Sequence, residues 1–295
     1  MLSICIPVFN WDMTQLVHAL HKQADGLDVP SEIVLLDDGS RLRIKEANRP
    51  LAGLPRVLYE ELKQNVGRSR IRNLLFAKAS YRYLLILDCD TMVMDHDYLN
   101  NYLAVARSGI VVCGGRVYSD KPRNKKELLH WLVGSHREVN HAEHRQENPY
   151  HDFITGNFMI DRQVFEKIRF HESLSGYGHE DTLFGYELFK RKIPVHHIDN
   201  PLVHMGLENA DGFLNKTREG LRNLLKTHAL VNEDPEYANM VKILRLYLRF
   251  KRYGISNLLG KLSGKLQKPM EKHLAGSHPS LFVFDLYKLC ILCRH

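Results

Sequence analysis

Short apolar runs alternate with longer amphipathic stretches over the first 115 or so residues of the chain. Ser3 to Val8, Glu32 to Leu36, Tyr83 to Leu87 and Ile110 to Gly114 are of the first kind. Each is too short for a buried helix and rich in Ile, Leu and Val, so each reads as a strand covered on both faces. Arg56 to Glu60 is a further short strand. Met13 to Gln23 carries Met13, Leu16, Val17 and Leu20 on one helical face, and Gly67 to Ala79 does the same with Ile71, Leu74, Leu75 and Ala79. Asp97 to Ala106 is also helical. Strands alternating with helices predict an α/β domain built on a mostly parallel sheet. Residues 121–151 are polar and hold His130, His136, His141, His144 and His151. Their spacing matches no convincing pair of helical metal ligands, and the segment is expected to be a solvated loop. After Asn215 the pattern turns helical and basic.

Three of the strands end in polar tokens: Pro7-Val8-Phe9-Asn10, Asp37-Asp38-Gly39-Ser40 and Asp88-Cys89-Asp90. In open α/β sheets ligands bind beyond the carboxyl ends of the strands, so the three are expected to converge on one crevice. The last token poses a problem. Two carboxylates one residue apart repel, and each loses solvation where the strand is covered. A positive group is expected beside them.

Composition adds bounds. The chain has 295 residues, 44% hydrophobic and 25% charged, as in ordinary globular proteins. Five scattered cysteines make no disulfide framework and fit a reducing compartment; Cys290 and Cys293 read as one apolar helix face. No stretch reaches the ~20 apolar residues of a membrane span. The expected location is cytoplasmic, or peripheral on the cytoplasmic face of a membrane. The formal net charge of +7 is uneven. From residue 215 onward 15 Lys and Arg face 6 Asp and Glu, a net +9, which leaves −2 for the rest. The expected division is a catalytic domain over 1–214 and a basic helical region over 215–295.

Taken together, IPVFN (6–10), LLDDGS (35–40), NVGRSRIRN (65–73), LDCD (87–90), TGNFMI (155–160) and GYGHEDTLFGYEL (176–188) resemble family 2 glycosyltransferases of the GT-A fold. The segments occur in that family's order and cover about the first two-thirds of the chain. The resemblance implies a GT-A catalytic domain with a helical C-terminal extension. It implies transfer of a hexose or N-acetylhexosamine from a UDP-sugar to a glycan or lipid-linked acceptor, as in cell-surface polysaccharide synthesis.

Residue by residue, the resemblance implies these roles. Pro7, Val8, Phe9 and Asn10 would line the base and ribose, and Asp38 would accept from the uracil N3–H. Gly67, Arg68 and Arg72 would approach the nucleotide. Asp90 would ligate Mn²⁺ or Mg²⁺, with Asp88 touching the ribose or the metal, and the ion would offset charge on the departing diphosphate. His204 is the candidate third ligand, with His196 and His197 as runners-up. Thr155, Gly156 and Asn157 would face the donor sugar or acceptor.

The segment Gly176 to Asp181 resembles the corresponding segment of inverting enzymes such as β-1,4-galactosyltransferases. Glu180 would hydrogen-bond sugar hydroxyls, and Asp181 would be the general base for the acceptor hydroxyl. Tyr177, Gly178 and His179 would border the acceptor; a tyrosine packed in the core is the other reading of Tyr177. The acids also suit the first turn of a helix over 182–192, where they complement the dipole, and both readings can hold.

Two alternatives fit less. An apolar strand ending in D-x-D also opens haloacid-dehalogenase-like phosphatases, but Met92 departs from that pattern and the other motifs stay unexplained. A non-catalytic sugar-nucleotide-binding protein leaves Asp90 and Asp181 without a purpose. The basic tail has no aromatic-interleaved motif for nucleic acid. It fits either an anionic membrane surface or packing on the catalytic domain.

Overall fold

A computed structural model describes residues 1–174 and 176–294, the side chain of Leu262 excepted. In chain order its strands are β1 (Leu2–Val8), β2 (Ser31–Asp37), β3 (Val57–Glu61), β4 (Tyr83–Leu87), β5 (Thr91–Met92), β6 (Val111–Cys113), β7 (Arg116–Tyr118), β8 (Asn157–Asp161), β9 (Val195–His197) and β10 (Leu202–His204). Seven of them form one sheet in the order β3-β2-β1-β4-β8-β6-β9. Every neighbouring pair is parallel except those made by β8, which runs antiparallel to both β4 and β6. A second sheet has the order β5-β10-β7.

The apolar runs become strands because both faces of the large sheet are covered. Leu2, Ile4, Ile6 and Val8 of β1 point to one side, where they meet Leu16, Val17 and Leu20 of the helix Thr14–Asp25. Cys5 points to the other, with Ile71, Leu75 and Phe76 of the helix Arg68–Lys78. Strand side chains alternate, so a strand buried on both faces is apolar at nearly every position, and the one polar side chain of β1, Ser3, is satisfied by donating to Glu32 at 2.7 Å. Fully burying one such side chain is worth about 1.5–3 kcal/mol.

The strand order locates the crevice. The chain winds outward through β1, β2 and β3, then returns so that β4 pairs with the other side of β1. At that reversal the loops after β1 and β4 diverge, leaving room for a ligand beyond their carboxyl ends. The segments that begin at Phe9 and Asp88 lie there.

The chain forms two compact units. The first holds residues 1–117, 140–175 and 180–206, and the second 118–139, 176–179 and 207–295. The second unit therefore starts a little before residue 215 and draws in two earlier segments. The histidine-rich stretch is a loop only in part: it contains the helices Leu128–Arg137 and Ala142–Glu147. Leu128, Leu129 and Val133 give the first of these a buried face that the neighbouring polar residues mask in the sequence. In the second unit the helices Ala210–Leu230, Ile255–Leu274 and Leu281–Leu292 are tied by one cluster. Arg218 donates to Glu271 at 2.7 Å and to the Tyr287 hydroxyl at 2.6 Å, and that hydroxyl donates to Glu271 at 2.8 Å. Among the described residues no helix is long and apolar enough to cross a membrane.

Candidate active site

The three strand-end tokens converge. Asp38 N–H donates to the Val8 carbonyl at 2.8 Å, and Asn10 N–H donates to Ser40 Oγ at 2.8 Å, so the ends of β1 and β2 are laced together. Asn10 takes a left-handed φ of 53° to make this turn. Gly39 has φ +75°, and a Cβ there would stand 2.6 Å from the Asn65 amide, so only glycine fits. Of the predicted base-lining residues, Phe9 is exposed and Pro7 half-exposed, whereas Val8 is fully buried. Val8 contributes its carbonyl and core packing, with no surface for a base.

Asp38 has a structural task in this state. Its two oxygens accept from the Val66 and Gly67 amides at 2.6 and 3.2 Å, fixing the loop that opens the helix Arg68–Lys78. Burial pushes its carboxyl upward, and the two amides work against that.

The positive groups beside Asp88 are guanidiniums. Arg72 Nη2 donates to Asp88 Oδ1 at 2.9 Å and Arg116 Nη2 donates to Asp88 Oδ2 at 3.1 Å. Burial pushes Asp88 upward, but Arg72, Arg68 and Arg116 outweigh it and hold the carboxyl well below its usual range. Both oxygens expected to touch ribose or metal are thus engaged by arginines. The same geometry removes Asp88 as a phosphatase nucleophile. Arg116, which carries no motif of its own, follows Gly114-Gly115 at the end of β6; a charged residue just past a buried strand was its signal in the sequence.

Arg68 and Arg72 face acids and not an open base site. Arg68 Nε donates to Glu180 Oε1, and Arg72 Nη1 stands 3.5 Å from the same oxygen. Glu180 is buried and held by this pair. Burial raises its carboxyl, yet Arg68 and Arg72 win and leave it below its ordinary value. A sugar hydroxyl would have to compete with two guanidiniums for it.

Asp181, the next residue, has the opposite environment. Its Oδ1 accepts from the Thr182 amide at 2.7 Å. Oδ2 has no hydrogen-bond partner among the described residues. Burial and the adjacent Glu180 charge push its carboxyl up to about 6. Both acids lie in the first turn of the helix Glu180–Lys190. Two neighbouring carboxylates are thus driven apart in ionisation, one fixed as an anion and the other poised near neutrality.

Asp90 lies beyond β4, a third exposed, with His204 Nδ1 3.7 Å from its Oδ1. That is too long for a hydrogen bond and suits two donors facing one ion. Gly206 lets the backbone pass against the Asp90 carboxylate, which a Cβ there would overlap. Among the described residues no three His, Cys, Asp or Glu side chains gather as a metal-binding group. The pair therefore fits an ion shared with a ligand's oxygens and water, not one enclosed by protein. Of the runners-up, His196 is half-buried on β9 and His197 is ruled out by its bonds. Its Nδ1 lies 2.8 Å from Arg145 Nη1 and its Nε2 2.9 Å from the Pro149 carbonyl. Burial lowers its imidazole to about 4, so it is neutral, accepting at Nδ1 and donating at Nε2.

Thr155, Gly156 and Asn157 are buried, and the polar atoms of the Asn157 side chain are spent inside the protein. Asn157 Oδ1 accepts from the hydroxyls of Tyr98 and Tyr102, both at 2.7 Å, and its Nδ2 donates to the carbonyls of Gly115 and Asn200. Gly156 lies against the Asp88–Arg116 pair, where a Cβ would overlap both side chains. Cys89, between the two aspartates, is a free thiol; burial and Asp90 push it up to about 12.

In the second unit, Gly176, Gly178 and His179 have φ of 82°, 95° and 67°. This left-handed stretch is held from the helix Ala210–Leu230. Asn223 donates to the Tyr177 carbonyl at 3.1 Å, and Lys216 Nζ lies 5.0 Å from the Tyr177 ring centroid. Tyr177 is half-buried, so its ring is neither sealed in a core nor fully open.

A doubly covered, mostly parallel sheet, a chain reversal between β1 and β4 and a split carboxylate pair are the features of an open α/β fold whose ligand crevice lies beyond its strand ends. Residues 3–169 match the model described as Glycosyl transferase family 2, more than half of the chain, and the chain belongs to that family. The chondroitin synthase of Escherichia coli is 26% identical over 223 residues, covering 64% of this chain and 32% of that protein. That of Pasteurella multocida (strain Pm70) is 25% identical over 236 residues, covering 69% and 24%. The chain spans a third or less of the length of these relatives. Among solved structures, the mannosyltransferase PcManGT from Pyrobaculum calidifontis in complex with GDP-Man and Mn²⁺ aligns with a TM-score of 0.59 at 13% identity, over 98% of this chain and 86% of that one. S. aureus TarS 1-349 in complex with UDP aligns at 0.54 and 15% identity, over 98% and 88%. The fold is that of GT-A glycosyltransferases.

Proposed function

We propose that the chain is an inverting glycosyltransferase, using a nucleotide-diphosphate sugar, UDP-linked on our reading, and a glycan or lipid-linked acceptor. The observation that carries this is the Glu180–Asp181 pair: an acid locked by arginines beside one whose Oδ2 has no hydrogen-bond partner among the described residues and whose ionisation point is raised. A base titrating near 6 is largely ionised at neutral pH yet retains basicity, as general-base catalysis requires.

In this reading Asp181 Oδ2 takes the proton from the acceptor hydroxyl as that oxygen attacks the anomeric carbon. The new glycosidic C–O bond forms as the bond from that carbon to the diphosphate oxygen breaks, and single displacement inverts the centre. Glu180, fixed by Arg68 and Arg72, keeps a permanent negative charge next to the base and sustains its basicity. Asp90 and His204 would hold a divalent ion, which supplies neutralisation of charge on the diphosphate when bound. The co-complexes of PcManGT with GDP-Man and Mn²⁺ and of TarS with UDP support a nucleotide-sugar donor, and the first supports the ion. The likeness to chondroitin synthases supports a polysaccharide acceptor.

The test is a panel of UDP-hexoses and UDP-N-acetylhexosamines, with GDP-mannose as control, scored for metal-dependent hydrolysis and transfer. An α-linked donor should give a β-linked product by NMR. A retained anomeric configuration, or turnover of none of the donors, would overturn the reading.

A further inference from the structure

The helices Lys242–Arg252 and Ile255–Leu274 of the second unit each bury one face and present another to solvent. Leu244 and Tyr247 are buried on the first, and Met270 and Leu274 on the second. On the first helix Lys242, Arg245, Leu246, Arg249 and Arg252 recur at three- and four-residue intervals and are all exposed. The second shows Ile255, Leu258, Lys265 and Leu266 in the same way. Residues 251–255, which span the turn between the helices, are exposed without a break. Tyr253 is 68% exposed, Leu258 62% and Ile255 41%, high values for side chains of this kind in one short stretch.

The charge is one-sided. Residues 242–272 carry nine Lys and Arg against one acid, Glu271. That acid does not offset the surface charge, because it is bonded to Arg218 and Tyr287.

We propose that this surface docks on an anionic lipid bilayer, its cations against the headgroups and Tyr253, Ile255 and Leu258 at the acyl boundary. Cations and exposed apolar side chains in alternation along a helix are the composition of an interfacial segment, and tyrosine favours the headgroup level. The cations alone would suit any polyanion. The exposed aliphatic residues have no use on a phosphodiester or uronate chain and do have one at a lipid interface. Neither helix is apolar enough to cross, so the contact is peripheral.

The test uses the full chain with vesicles of phosphatidylcholine alone and of phosphatidylcholine mixed with phosphatidylglycerol, in a flotation assay at low and high salt. One variant combines Arg245→Gln, Arg249→Gln and Lys265→Gln; another combines Tyr253→Ser and Leu258→Ser. All five positions are exposed, and circular dichroism with a thermal melt checks that both variants fold. The unaltered chain should float with anionic vesicles only, less at high salt. Each lost cation should weaken binding about fivefold, so the charge variant should fall roughly a hundredfold. The apolar variant should also bind less, and its deficit should persist at high salt. Absence of binding to anionic vesicles, equal binding to neutral ones, or full binding by either folded variant would overturn the proposal. So would heparin or polynucleotide binding, or a salt-sensitive dimer, found in place of flotation.

Discussion

Arg72 serves two acids at once: its Nη2 donates to Asp88 Oδ1 at 2.9 Å while its Nη1 stands 3.5 Å from Glu180 Oε1. The side chain is 2% exposed, so it joins the end of β4 to the first turn of the helix Glu180–Lys190 from inside the protein. Losing the guanidinium would leave Asp88 with one arginine and Glu180 with one. Arg72→Ala should destabilise the fold by about 3–5 kcal/mol, the usual cost of removing one partner from a buried ion pair. Arg72→Lys keeps the charge and loses the fork, and should fall between that variant and the unaltered chain. Urea unfolding curves measure both; near-native stability in Arg72→Ala would show that the cluster is dispensable.

Asp181→Asn should lower the chemical step by about 10² or more while UDP affinity persists, since in the proposed mechanism the residue moves a proton and the nucleotide lies against other residues. Stopped assays with calorimetry separate the two effects. In the unaltered enzyme the rate should fall as pH drops through about 6, where Asp181 takes up its proton.

Stability should respond to Asp181 with the opposite sign. The folded state holds this carboxyl above its ordinary value, so folding binds a proton between the two, and the residue's contribution weakens as pH rises through that window. Asp181→Asn should therefore melt at or above the temperature of the unaltered chain at neutral pH. Its advantage should vanish in acid, below about pH 4. Thermal melts across that range give the result directly, and an asparagine variant less stable at every pH would contradict the burial argument.

Chelation should remove transfer, and added Mn²⁺ should restore it more fully than Mg²⁺, since an imidazole donor favours the softer ion. Asp90→Ala should abolish the restoration. His204→Ala should weaken Mn²⁺ affinity, read by electron paramagnetic resonance without turnover. Undiminished activity in excess EDTA would remove the ion from the mechanism.

Gly156→Ala tests the Asp88–Arg116 contact from the backbone side. The new Cβ must displace one partner or both, because it would overlap each. A loss of about 1–3 kcal/mol in stability is expected, the range for overpacking. Arg116→Gln should release Asp88 more gently, with Arg72 still in place. If Gly156→Ala melts like the unaltered chain, the pair is looser than its distances imply.

The strands and the meeting of their ends were legible because period and polarity speak directly: five apolar residues in a row, YLLIL, too few for a buried helix, run straight into two acids. The partners of those acids were not legible. Arg72 and Arg116 lie 16 and 28 residues from Asp88, and nothing local marks which arginine faces which carboxylate. Asn157 shows the same limit. Thr155-Gly156-Asn157 looks like a polar turn, yet Asn157 is consumed by Tyr98 and Tyr102 from a helix over fifty residues earlier. The helix Leu128–Arg137 is hard to see in the sequence because its buried stripe, Leu128, Leu129 and Val133, is short and lies within a polar, histidine-rich segment. Glu180 and Asp181 could be picked out as a pair, but only burial and the arginines tell one from the other.

Cys89 stands between two aspartates at the mouth of the crevice, where a reactive sulfur would be a liability. With its thiol pushed up to about 12, almost no thiolate exists at neutral pH. Burial raises the other four thiols as well, Cys113 likewise to about 12. The thiolate is the form that alkylating agents and peroxides attack. Burial first, and the charge of Asp90 second, thus keep Cys89 in the thiol form that resists oxidation, and catalysis should proceed at the same rate with or without a reducing agent.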